Sequence, residues 1–487
     1  MNYPPNGSAA PPGTVGAPTM PAVPPQVRPP HAQVPAPVTP ARGTAWAEGV
    51  DRLRAAATTE PGRLRIIGAV LALLVVTFGA VTAWQMTDRS AAADDVLHSS
   101  QPLSADAADI YRSLADANTA ASSGFLAGGQ ESAETRDRYE KDIRTAAAKL
   151  VTAAANSAPD SPSTAAISKL NTLLPQYKGL IERARANNRQ GYPLGGAYLR
   201  YANETMQEQM LPAAEDLYKK ENERLRSDYD SATPYPWVAI GLGVVALGAL
   251  AWAQRRNYRR TNRVLNHGLV AATAASTVVL LWLVVGHSVA RAGLDESYDH
   301  GVRSLNVLHD ARIASLKARG NENLTLVSRG AETVEVNGVS KDAFDVDYQK
   351  QMKTLATKLG DAAKLADDGT GKRPVQAAGA NMRVWQDRHK DAREQDDAGN
   401  YQGALDKVIG SAQDKPTREC FDNVDKELQS ALTHEQAEFK QAATDGRGAM
   451  TGLPVGAAVL AVLGAAAAVL GIGRRLSEYR REGAGQQ

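Results

Sequence analysis

Arg312, Arg319 and Asn323 recur at a spacing that brings all three to one edge of a helix, beside an apolar stripe. Arginine forks hold carboxylates bidentately, and grooves between bundled helices take small anions. These three are the candidate ligand-binding residues. The competing reading makes them a salt-bridged helix edge with Glu322 and its neighbours. A second set, Arg255, Arg256, Arg259, Arg260 and Arg263, lies in a stretch with no acid and is the candidate contact for a cytoplasmic partner. Other chemistry is missing. The sequence has no phosphate-binding glycine loop, no dinucleotide fingerprint, no HExxH and no GxSxG. None of the eight histidines is paired with another at a metal-ligand spacing on a helix. Cys420 is the only cysteine, which excludes an intramolecular disulfide and the zinc and thioredoxin-type patterns, so it is expected to be a small buried apolar residue. The acid pairs Asp367-Asp368 and Asp396-Asp397 stand beside glycine and read as solvated helix ends. The expectation is a protein that is not an enzyme and needs no cofactor or metal.

The elements that position these residues are set by membrane-type patterning. The five arginines separate two apolar runs, residues 237–253 and 269–286, and a short basic segment between two spans stays on the cytoplasmic side. Two further apolar runs, 66–84 and 453–472, are each long enough to cross about 30 Å of hydrocarbon. The chain of 487 residues carries a net charge of +2, but unevenly. Residues 88–233 hold 17 Lys/Arg against 21 Asp/Glu, and residues 291–447 hold 23 against 27. The segments flanking the runs on their other sides are basic. That is a membrane pattern and excludes a nucleic-acid partner. Both termini are therefore expected in the cytoplasm of a multi-pass membrane protein.

Taken in order, residues 1–62 form a proline-rich cytoplasmic arm that cannot bury a core. It ends in an amphipathic juxtamembrane helix at 45–62, closed by Pro61-Gly62. The first span, 66–84, starts too late and runs too long for a cleavable signal. Residues 87–233 and 288–450 are the two polar inserts, 254–268 the basic cytoplasmic loop, and 473–487 a basic cytoplasmic tail. Leu103, Ala107, Ile110, Leu114 and Phe125 repeat at helical spacing, as do Leu305, His309, Ile313, Leu316 and Leu324. Each insert divides into four helices, so each leaves and returns to one membrane face. The fold class predicted is all-α: four transmembrane helices and two extracytoplasmic up-down four-helix bundles made by internal duplication. A kink is expected at Pro212. Residues 333–336 are the one short alternating stretch and read as a loop. Gly241, Gly243, Gly248, Gly456, Gly464, Ala468 and Gly471 offer close-packing faces between spans.

Phe125-Leu126-Ala127-Gly128-Gly129 closes the opening helix, and Met210-Leu211-Pro212-Ala213-Ala214-Glu215-Asp216-Leu217-Tyr218 lies on the returning one, after a break at Gly191-Tyr192. In these features each insert resembles the four-helix sensor domain of chemotaxis receptors and histidine kinases. The whole layout resembles the GlnX-type membrane proteins of actinobacteria over residues 60–480. That resemblance implies a relay of amino-acid availability from an extracytoplasmic glutamine-binding-type lipoprotein to a cytoplasmic serine/threonine kinase of the PknG type. It brings no site residues with it.

The 13 residues between the central spans and the tail after the fourth are too short for a kinase, a coiled-coil output module or a HAMP unit. A signal is expected to leave through a partner. The function expected is a non-enzymatic transmembrane signal-relay receptor for amino acids or a solute-binding protein. An envelope scaffold and a transporter accessory subunit are the rivals.

Overall fold

The computed structural model describes residues 58–128, 131–261 and 266–484. The proline arm, residues 45–57 of the juxtamembrane helix, and Arg263 lie outside them. The described chain is nearly all helical. Four helical stretches are long and apolar enough to cross a membrane: Gly62–Leu126, Leu194–Arg259, His267–Ser328 and Thr417–Arg474.

Helix α1 (Glu60–Asp95) begins at Thr59, whose hydroxyl accepts from the Gly62 amide at 3.3 Å. Pro61 lies in its first turn, where a missing N–H costs nothing. Pro61 therefore lies inside the start of the spanning helix, while the juxtamembrane helix expected before it falls outside the described residues. One widened turn, Val96–Ser100, joins α1 to α2 (Gln101–Leu126) without a break. The extra backbone in that turn makes room for Pro102, which lacks a donor and would crowd the carbonyl four residues back. The first half continues with α3 (Ala133–Asn156), α4 (Thr164–Arg189) and α5 (Leu194–Glu204). A second widened turn, Thr205–Met210, leads to α6 (Leu211–Ala232), with Pro212 in its first turn. The disturbance expected at Pro212 is this turn. Span α7 (Trp237–Thr261) follows the Thr233–Pro236 break.

The second half repeats this order. Span α8 (His267–Glu296) passes through the widened turn Ser297–Val302 into α9 (Arg303–Ser328). This turn lies 201 residues after its counterpart Val96–Ser100, with no proline beside it. Next come α10 (Ala343–Leu365), α11 (Gly369–Asp397), α12 (Tyr401–Ile409) and α13 (Thr417–Ala449). A break at Thr451-Gly452 precedes the last span, α14 (Leu453–Ala484).

Residues 333–342 depart from the expected loop. Strands β1 (Thr333–Val336) and β2 (Val339–Asp342) pair antiparallel, with Thr333 opposite Asp342. Asn337 and Gly338 have φ of 53° and 78°, the two positive values that a two-residue hairpin turn requires. The Asn-Gly pair was the signal.

The two inserts share one core instead of standing apart. Leu114 and Leu217 of the first half and Leu308, Trp385 and Phe421 of the second belong to the same buried cluster. Among the spans, α14 packs against both α1 and α8. Gly79 faces Ala461 and Gly268 faces Gly471 so closely that a β-carbon on either glycine would collide. Gly456 meets Trp282, and Gly464 meets Val75 and Ala275. Small residues thus bring the first and last spans together. Gly243 packs on Phe78 and Leu280, whereas Gly241 and Gly248 face open space.

Candidate functional site

Helices α2 and α9 lie along each other and form the seam between halves. Several polar contacts cross it. Arg138 on α3 grips Asp116 on α2, with Nε donating to Oδ2 at 2.9 Å and Nη2 lying 2.9 Å from Oδ1 in an ion pair. Its Nη1 donates to Asp422 on α13 at 2.7 Å. The Tyr218 and Tyr229 hydroxyls reach Asn306 and Ser297 at 3.1 and 2.5 Å. Arg138 and Asp116 both belong to the first half, but the pairs that cross to the second lie 68 to 284 residues apart in sequence, so helical periodicity could not have shown them.

The predicted ligand-binding residues fall on this seam but do not converge on one opening. Arg312 donates to both oxygens of Asp425, at 2.7 and 3.0 Å, and to Gln429 at 2.5 Å. Arg319 is buried and donates to Glu322 at 2.5 Å, Thr417 at 3.0 Å and the Val408 carbonyl at 3.3 Å. Asn323 donates across the seam to Ser123 Oγ at 3.0 Å. The forks expected to hold a ligand carboxylate are thus filled by the chain's own groups. The ion-paired reading fits this geometry, because a buried guanidinium must find a counter-charge in the fold.

Glu322 is the centre of a buried network. It accepts from Arg319 and from Trp385 Nε1 at 3.1 Å, and meets His389 Nδ1 at 2.9 Å. His389 Nε2 meets Asp345 at 3.0 Å, and the ring stacks on Tyr348 with centroids 3.7 Å apart. Burial works against charge on His389, but hydrogen bonds to Asp345 and Glu322 outweigh it and hold the imidazole above its ordinary range. In the first half, burial and the neighbouring Asp116 push Asp142 up to about 8. Asp116 goes the other way: burial opposes its charge, but the Arg138 guanidinium prevails.

A groove of about 430 Å³ opens on the seam beside the first turns of α2 and α9. Asp106, Asp109 and Lys149 line it from the first half, and His309, Arg312 and Lys440 from the second. Leu97, Leu305, Leu432 and Phe439 supply apolar surface. Lys149 bridges Asp106 at 2.5 Å and Asp109 at 2.9 Å. Burial lowers His309 to about 4, so its ring is neutral near pH 7 and offers both a donor and an acceptor. Lys440 makes no ion pair among the described residues. The groove therefore presents both charge signs, a neutral imidazole and an apolar wall, a suitable lining for a small zwitterion or a polar protein edge. Sequence reasoning placed His309 on the apolar stripe; a titratable group in that stripe was the available signal.

The basic stretch is mostly helix, not loop. Arg255, Arg256, Arg259 and Arg260 lie on the last turns of α7, and the Arg256 guanidinium sits 5.5 Å over the Trp252 ring. A helix end carrying arginines is favoured by its own dipole.

Four long apolar helices joined to a nearly all-α polar domain define a multi-pass membrane protein. Residues 92–230 match the family model of the actinobacterial sensor domain, a span that runs from the end of α1 to the end of α6. The match supports an actinobacterial sensor protein with a sensing or signalling role. No curated protein and no solved structure matches the chain.

Proposed function

We propose that this protein is a non-enzymatic transmembrane signal-relay receptor. The seam groove faces outward and takes an amino acid, or docks a glutamine-binding-type lipoprotein that carries one. The basic end of α7 and both termini lie in the cytoplasm, where a serine/threonine kinase of the PknG type receives the signal.

One observation carries this reading. The groove is built on α2 and α9, and each continues without interruption into a span, through Val96–Ser100 and Ser297–Val302. Gly62–Leu126 is a run of 65 residues, about 98 Å at 1.5 Å per residue. A small tilt or slide between α2 and α9 at the groove is transmitted to the far ends of α1 and α8, because packed helices move as rods.

The test is photo-crosslinking in native membranes, with reactive groups at Asp106 and Lys440 and at Arg255 and Arg259. The expected result is a solute-binding protein captured at the first pair and a kinase at the second, with yields that change on amino-acid addition. Capture of envelope or transport proteins alone, with no regulatory protein at the arginines, would replace the relay with a scaffold or an accessory subunit.

A further inference from the structure

At the membrane-proximal end of the second half, three side chains from two elements converge. Asp368 caps α11, and His434 and Glu438 stand one turn apart on α13. His434 Nε2 lies 3.3 Å from Asp368 Oδ1 and 3.2 Å from Glu438 Oε1. Two ligand atoms bound tetrahedrally at about 2.0–2.1 Å from zinc sit roughly 3.3 Å apart. The Nε2 atom is shielded from solvent and makes no hydrogen bond, although two oxygens face it.

The electrostatics point the same way. Neither Asp368 nor Glu438 pairs with a lysine or arginine among the described residues. Asp368 Oδ1 also accepts the Thr370 and Gly371 amides at 2.8 and 2.7 Å. Those bonds hold it in one orientation, as outer-shell partners do for metal ligands. A cavity of about 290 Å³ adjoins Glu438 and has room for water as a fourth ligand. The corresponding helix start in the first half is closed by a hydrogen bond instead: Ser163 before α4 donates to Glu221 on α6 at 2.5 Å.

We propose that Asp368, His434 and Glu438 bind one divalent transition-metal ion of the zinc type. One imidazole and two carboxylates form a donor set suited to zinc and its neighbours. The ion ties the α10–α11 turn to α13, the helix that leads to the last span. This inference does not depend on the relay.

The test uses the full chain in detergent, purified on a tag without histidine and stripped with chelator. Zinc is titrated calorimetrically, stoichiometry is read by elemental analysis, and hydrogen exchange is followed over residues 366–371 and 434–438. One zinc per chain with slowed exchange in both segments is expected. His434→Ala should abolish uptake. Glu438→Gln, which keeps the side chain's shape, should weaken it by at least the 10–100-fold typical of losing an outer-shell partner. A control His98→Ala should bind normally. Uptake unchanged in both site variants overturns the proposal. So does slowed exchange on acidification alone with no zinc taken up, since a protonated His434 would then be the bridge. If His434→Ala does not fold, Glu438→Gln decides.

Discussion

Replacing Arg138 with methionine should destabilise the folded protein by an amount that depends on pH. The guanidinium has two partners of unequal worth. Asp422 is 42% exposed, so that pair contributes about 0–1 kcal/mol in water. Asp116 is only 8% exposed, and stripping its counter-charge leaves a buried carboxylate unpaired, which costs about 3–5 kcal/mol. Arg138 itself is 34% exposed, so water softens the loss and the lower end, about 3 kcal/mol, is the expectation at pH 7. With about 2.1 cal/mol/K of unfolding entropy per residue over the roughly 300 residues of the shared core region, that is a fall in Tm of roughly 5 °C. In the wild type, Asp116 has a lowered pKa, so its stabilisation is present above the ordinary carboxylate range and lost as pH falls through the folded value. Without Arg138 the carboxyl can take a proton instead, and the deficit should shrink toward pH 4. Thermal unfolding in detergent at pH 7 and pH 4 measures this, and Asp116→Asn in the Arg138→Met background should restore much of the loss. A deficit below about 1 kcal/mol at pH 7, or one equal at both pH values, would refute the reasoning.

Three further outcomes follow from the same geometry. The stabilisation from charged His389 is complete below its unfolded pKa, about 6.5, and is lost as pH rises through the raised folded value. The Tm should therefore drop over that range, and His389→Gln should flatten the drop. Asp142→Asn should match the wild type near pH 4, gain on it as pH rises to about 8, and level off beyond, because the wild type must keep a proton on that carboxyl in order to fold. Gly268→Leu should force α8 away from Gly471 and cost about 1–3 kcal/mol in thermal unfolding, whereas Gly241→Leu, at an open position, should cost little.

The layout was readable in the sequence because spans, basic flanks and apolar stripes are local signals. The stripe from Leu305 to Leu324 and the run at 269–286 each needed only their own residues. Asn337-Gly338 was readable too, since Asn-Gly demands a hairpin turn, but the flanking strands are short. Pro61 was ambiguous by nature, because proline ends one helix as readily as it opens the next; the Thr59 cap resolves it. The seam was not readable. Asp116 and Asp422 meet on Arg138 only through tertiary packing, and Arg319 looks equally fit for a ligand or for Glu322 until its burial is known. The Asp368–His434–Glu438 cluster escaped a search for paired histidines because one ligand lies on another helix and the other two are mixed in type.

The duplicated halves are joined in one chain, and that linkage has a genetic consequence. In a symmetric dimer every substitution appears twice, and a residue on the axis must tolerate its own copy. Here Ser163 and Asp368 open matching helices yet face different partners, Glu221 and His434. Each half can therefore acquire mutations independently, one half keeping its helix start closed by a hydrogen bond while the other gains a new ligand. Variation recorded at one of these two positions should carry no matching change at the other.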